Sequence, residues 1–101
     1  PIPPLTAIQE EQARRYLNFM KSSNPEKRHA YEDKLIALGR GVLPLLLQKA
    51  DTKHKYLSKA VDRCLKELIV VEDGPILTRF RKSKNLRLRR IAVSEYSGAA
   101  R

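Results

Sequence analysis

Seven cationic side chains, Arg79, Arg81, Lys82, Lys84, Arg87, Arg89 and Arg90, fall within the twelve residues 79–90, and no carboxylate stands among them. Guanidinium and ammonium groups at that density suit one kind of chemistry, the holding of anionic groups such as phosphates or carboxylates. A smaller cationic group, Lys49, Lys53, Lys55 and Lys59, lies upstream. Three roles fit these cations: solvation and packing of a small domain, docking of a protein, and contact with a nucleic-acid backbone. Phe80 and Tyr96 sit on apolar stripes rather than between the cations, which speaks against stacking of single-stranded bases. The candidate partner-binding residues are Lys53, Lys55, Arg79, Arg81, Lys82, Lys84, Arg87, Arg89 and Arg90.

Residue types for other chemistry are sparse. The two histidines, His29 and His54, fall in the first turn or so of expected helices beside charged neighbours and read as solvated positions. Cys64 lies on an apolar stripe and reads as core. No His, Cys, Asp and Glu set has zinc-ligand spacing. Glu10-Glu11 and Glu32-Asp33 are adjacent pairs that a helix points to different sides, so neither forms a shared acid/base site. Gly39, Gly41 and Gly74 sit at helix ends and match no phosphate-binding loop. The expectation is a protein without catalytic, metal or cofactor-binding residues, not an enzyme.

The chain has 101 residues, a formal net charge of +10 and a pI near 10.1, enough for one domain with a modest core. The single cysteine excludes an internal disulfide and fits a reducing compartment, so an intracellular, cytoplasmic location is expected. No apolar run approaches a membrane span and no signal peptide is visible. The first residue is not methionine, which points to processing or to a piece of a longer chain.

Helical spacing runs throughout. PIPPLT is an extended lead-in over residues 1–6. Thr6 with Gln9 forms a capping box for a helix over 7–22, striped by Ile8, Ala13, Tyr16, Leu17, Phe19 and Met20. Asn24 and Pro25 open a helix ending at Gly39, with Ala30, Tyr31, Lys34, Leu35, Ala37 and Leu38 on its stripe. A short helix over 42–50 contains Pro44 in its first turn. A longer one over 54–70 carries Leu57, Ala60, Val61, Cys64, Leu65, Leu68 and Ile69 inward and Lys55, Lys59, Asp62, Arg63 and Lys66 outward. Pro75 opens a short helix with Ile76, Leu77 and Phe80, and a last helix over 86–99 turns Leu88, Ile91, Ala92 and Tyr96 inward. Tyr16, Tyr31 and Tyr56 are expected half-buried with the hydroxyl at the edge.

The pattern repeats. Pro44 and Pro75 are 31 residues apart, as are Leu57 and Leu88, Ala60 and Ile91, and Leu65 and Tyr96. A shift of 30 relates Ala30 to Ala60, Leu35 to Leu65 and Leu38 to Leu68. Each unit has a short proline-started helix, a polar turn and a longer striped helix. With GVLPLLL at 41–47, GPIL at 74–77, LSKAVDRCLKEL at 57–68 and LRRIAVSEYSG at 88–98, the unit resembles a short HEAT repeat of the HEAT-like lyase type. The likeness covers residues 25–98. Ser58 stands where the pattern has Arg, Ser83 where it has Asp, and Cys64 and Glu95 where it has small alanines.

The resemblance implies an all-α chain, an α-solenoid of three helical hairpins and about six helices in a right-handed superhelix. The repeats would span about 7–39, 40–70 and 74–99 within one domain over 7–99. It implies a non-enzymatic binding or scaffold module for a protein partner, an acidic one being favoured by charge. Nucleic-acid binding through the cations at 79–90 is the alternative, and a lyase or enzyme subunit the remote one. Stacking of the repeats would align Lys53 and Lys55 with Lys84 and Arg87 in a basic ridge. Ile91, Val93 and Tyr96 keep an apolar character that a following repeat would cover, so a longer array or self-association through the C-terminal helix is expected.

Overall fold

The computed structural model describes residues 2–70 and 72–93. Among them are six α-helices and no strand: α1 (Ala7–Phe19), α2 (Pro25–Ala37), α3 (Leu43–Lys49), α4 (Lys55–Leu68), α5 (Gly74–Arg81) and α6 (Leu86–Ile91). A 3-10 turn, Arg40–Val42, leads into α3. The all-helical expectation is met. The expected last turns of the C-terminal helix, with Tyr96, lie outside the described residues.

Local chemistry accounts for the helix boundaries. Thr6 Oγ1 accepts from Gln9 N–H at 3.1 Å and Gln9 Oε1 accepts from Thr6 N–H at 3.0 Å, the reciprocal bonds of a capping box. Asn24 Oδ1 accepts from the N–H groups of Glu26 and Lys27, and Pro25 fills the position whose N–H needs no partner. Gly39 takes φ +87°, a conformation that a side chain would strain, and turns the chain out of α2. Pro44 and Pro75 each sit in the first turn of their helix, and both are exposed.

The backbone gathers into two compact units, residues 1–68 and 69–101. In the first, α1 packs on α2, α2 on α4, and α3 on α4. Its core contains Ala13, Leu17, Met20, Leu35, Val42, Leu43, Leu45, Leu46, Leu57, Ala60, Val61, Cys64 and Leu65. Leu43, Leu45 and Leu46 of the leucine-rich α3 are buried and Leu47 is half-buried. At about 1.5–3 kcal/mol for a fully buried side chain, this short helix is held by packing rather than by its own propensity. The proline-rich lead-in is part of this unit: a Cβ on Gly41 would meet the Pro3 carbonyl oxygen and Leu5 Cδ2, each at 2.8 Å. In the second unit α5 packs on α6, and Leu77, Phe80, Leu88, Ile91 and Ala92 are buried.

The stripe expected on α4 is the stripe observed, Leu57, Ala60, Val61, Cys64, Leu65 and Leu68. Two other faces differ from expectation. On α1, Ile8 is 72% exposed, because the buried line is Ala13, Leu17 and Met20. Ile8 precedes Ala13 by five residues, about 140° around the helix. On α2, Ala30, Lys34 and Ala37 face solvent, and the buried residues are Arg28, Glu32 and Leu35. The alanines have little apolar area to gain from burial, whereas Arg28 and Glu32 enter with charged partners. Arg63, expected on the solvated back of α4, is one of those partners.

Candidate functional site

The three turns that join the paired helices share one construction. Ser22 Oγ accepts from Asn24 N–H at 3.1 Å, Thr52 Oγ1 from His54 N–H at 3.2 Å, and Ser83 Oγ from Asn85 N–H at 2.9 Å. The residue two positions on then caps the next helix: Asn24 as above, His54 Nδ1 accepting from Leu57 N–H at 3.2 Å, and Asn85 Oδ1 accepting from Arg87 N–H at 3.0 Å. Arg28 Nη1 returns to the Ser22 carbonyl at 3.1 Å, and Arg89 Nη1 to the Ser83 carbonyl at 3.4 Å. Ser58, which occupies the corresponding place in the first turn of α4, instead donates to the Lys55 carbonyl at 2.9 Å. The motif is Ser/Thr-x-Asn/His at 22, 52 and 83, spaced by 30 and 31.

The nine candidate cations fall in two groups. Lys53 lies in the middle turn and Lys55 opens α4, both exposed, with Lys55 Nζ 5.5 Å from the centre of the Tyr56 ring. The other seven belong to the second unit. Arg79 and Arg81 are on α5, Lys82 follows it, Lys84 lies in the turn, and Arg87, Arg89 and Arg90 are on α6. Arg87 is half-buried and the other six are exposed. Arg89 bonds to the Ser83 carbonyl of the turn before its own helix. No carboxylate occurs from residue 74 to residue 93.

The first unit treats charge differently. Glu32 is 1% exposed. Its Oε1 accepts from Arg63 Nη1 at 2.9 Å and lies 3.0 Å from His29 Nδ1, while Oε2 stands 3.8 Å from Arg28 Nε. Arg63 Nη2 reaches Asp33 at 2.8 Å, so one guanidinium spans the two adjacent carboxylates that the helix turns apart. Hydrogen bonds to Glu32 and then to Asp33 hold the Arg63 guanidinium above its ordinary pKa. The Arg28 guanidinium also lies 5.4 Å from the Tyr56 ring centre. Glu32 and Arg63 are 31 residues apart, one more than the 30-residue shift that relates α2 to α4, so the bond joins adjacent rather than equivalent positions of two packed helices.

Cys64 is fully buried, with its Sγ 3.9 Å from the Glu32 carbonyl oxygen. Burial, and after it the charge of Glu32, pushes the thiol up to about 12 from 9.0. It is a core residue, as expected, and carries no thiolate for nucleophilic or ligand chemistry near neutrality. His29 lies within hydrogen-bond reach of Glu32 and His54 caps a helix. No group of His, Cys, Asp and Glu among the described residues has the arrangement of a metal site. No helix among them is long and apolar enough to cross a membrane.

Tyr16, Tyr31 and Tyr56 are half-buried, as expected. Phe19 stacks on Tyr31 with ring centres 4.8 Å apart, and Tyr16 lies 5.9 Å from Tyr31. The first unit also has an open cleft of about 170 Å³ lined by Arg14, Leu17, Asn18, Lys21, Leu45, Lys49 and Leu57.

No family model, curated protein or solved structure matches the chain.

Proposed function

We propose that the chain is a HEAT-like helical-repeat module that binds an acidic protein segment and performs no chemistry of its own. The observation that carries this reading is the α5–α6 hairpin, which presents seven cations, six of them exposed, in a stretch from residue 74 to residue 93 that itself contains no carboxylate. Three turns of one construction, spaced by 30 and 31 residues, and the packing of α2 on α4 support the solenoid part of the reading. Repeats of this kind expose long surfaces suited to binding.

The test uses the whole chain and a fluorescein-labelled polyglutamate peptide, followed by fluorescence anisotropy across a series of salt concentrations. Affinity is expected to fall steeply with salt and to drop about tenfold in an Arg81→Glu, Lys84→Glu variant. Tighter binding to single-stranded or duplex oligonucleotides than to the peptide at equal salt would replace the protein partner by nucleic acid. A flat salt response would remove the cationic hairpin from the account.

A further inference from the structure

The second unit leaves two aliphatic side chains in solvent along the helix that carries Arg87, Arg89 and Arg90. Leu86 is 49% exposed and Val93 59%, whereas Leu88, Ile91 and Ala92 between them are buried. Leu86 and Val93 are seven residues apart, two turns of helix, and so share a side. Ala92 keeps helical dihedrals, φ −62° and ψ −38°, and carries that path past the end of α6. Arg89 and Arg90 stand exposed between the two aliphatic residues, and Lys84 is exposed in the turn just before Leu86. A lone exposed aliphatic residue is ordinary on a surface. Two on one side of one helix, with cations between them, form a strip that a complementary surface can cover.

Spacing and charge together select the occupant. Two turns of helix put Leu86 and Val93 about 10 Å apart along the axis. A partner helix lying alongside repeats that distance when its own apolar residues are seven apart. An extended segment puts same-side residues about 7 or 13 Å apart and misses it. The cations, in a stretch from residue 74 to residue 93 without a carboxylate, favour acidic residues between those apolar ones. A second copy of this chain would set cations against cations. A nucleic-acid backbone has no apolar group to place on Leu86 and Val93. Lipid surfaces are bound by broader apolar faces with aromatic residues, and Phe80, the aromatic residue described in this unit, is buried.

We infer that the Leu86–Val93 strip docks an acidic amphipathic helix of the partner, two of its apolar side chains meeting Leu86 and Val93 while its carboxylates face Lys84 and Arg89. The inference deepens the reading of the chain as a module for an acidic protein and rests on it. It names the partner's secondary structure and its apolar spacing, which a run of cations alone leaves open. The aliphatic contacts contribute by removing apolar area from water, and the cations orient the acidic segment over them.

Two fluorescein-labelled peptides of about sixteen residues and identical composition, glutamates and alanines with two leucines, test it on the full chain by anisotropy. One has its leucines seven apart, and the other five apart, which a helix turns to different sides. The seven-spaced peptide is expected to bind about tenfold more tightly and to gain helical circular dichroism on binding. Leu86→Ser with Val93→Ser, both at exposed positions, should bring the two peptides to equal affinity. Arg81→Glu with Lys82→Glu should weaken both peptides and keep their ratio. Equal binding of the two peptides to the unaltered chain overturns the helix-docking strip and leaves the acidic-partner reading standing, as does a ratio that survives the Leu86→Ser, Val93→Ser change. Equal peptides together with sedimentation on phosphatidylserine vesicles that depends on Leu86 and Val93 would give the strip to a lipid surface and overturn the helix. Failure of both peptides to bind overturns the docking strip and the acidic-partner reading together.

Discussion

The two units handle positive charge in opposite ways. In the first, Arg14 and Arg15 pair with Glu10 and Glu11 one turn away, and Arg28 and Arg63 converge on the buried Glu32. In the second, seven cations stand between residues 79 and 90 with no acid among them. Both units nevertheless turn their paired helices in the same way, with Ser22 and Asn24 matched by Ser83 and Asn85. A shared turn construction thus carries two charge regimes. Where cations are matched by carboxylates of the same helix or the helix packed on it they belong to the architecture, whereas the run in the second unit has no acid in its own stretch of sequence. Exposed pairs contribute little, about 0–1 kcal/mol, so the architectural weight in the first unit rests on Glu32.

The largest effect expected is therefore at Glu32. Glu32→Ala strands the buried Arg28, leaves Arg63 with Asp33 alone, and should lower stability by about 3 kcal/mol in urea denaturation. An unchanged midpoint would erase the distinction between the two charge regimes.

Arg28 and Arg89 sharpen the comparison, because both bond the serine carbonyl six residues back. Arg28 is 7% exposed and faces Glu32 and Tyr56, whereas Arg89 is exposed. Arg28→Ala should cost about 2 kcal/mol and Arg89→Ala no more than about 0.5 kcal/mol, measured by the same denaturation. Equal losses would mean that the turn bond, and not the buried network, sets the value of the arginine.

The caps come next in size. Asn24→Ala and Asn85→Ala should each cost about 1 kcal/mol, as should His54→Ala, while His54→Asn should stay within about 0.5 kcal/mol of the parent. A His54→Asn variant as damaged as His54→Ala would break the equivalence of the middle turn with its neighbours.

Cys64 gives the smallest effect at neutral pH. Its folded pKa of about 12 lies above the ordinary 9.0, so the folded state keeps the thiol proton more tightly. The resulting stabilisation is complete below pH 9.0 and is lost as pH rises towards about 12. Thiol labelling with an aromatic disulfide at about pH 8 should accordingly be slow in the native chain and rapid in urea. Rapid labelling of the native chain would contradict the placement of Cys64 in the core.

Much of this was legible in the residues. The α4 stripe reads directly because each buried position is apolar and falls at helical spacing. The Asn24 cap and the cationic run also read directly, whereas the Ser/Thr-x-Asn/His pattern shared by the three turns emerges only from their hydrogen bonds. The α2 face did not, because its buried residues are an arginine and a glutamate, which periodicity assigns to solvent. Only their partner on α4 reverses that assignment, and partners on different helices are set by packing. The cleft was hidden for the same reason: Lys21 and Lys49 become neighbours of one hollow only when α1, α3 and α4 are assembled.

Most depends on α2 and α4, the long helices of consecutive hairpins, standing side by side, and a double-mutant cycle on Glu32 and Arg63 reads that contact directly. With Glu32→Gln, Arg63→Met and the double variant compared by urea denaturation, a favourable coupling of about 1.5–3 kcal/mol is predicted. A coupling within about 0.5 kcal/mol of zero would contradict it.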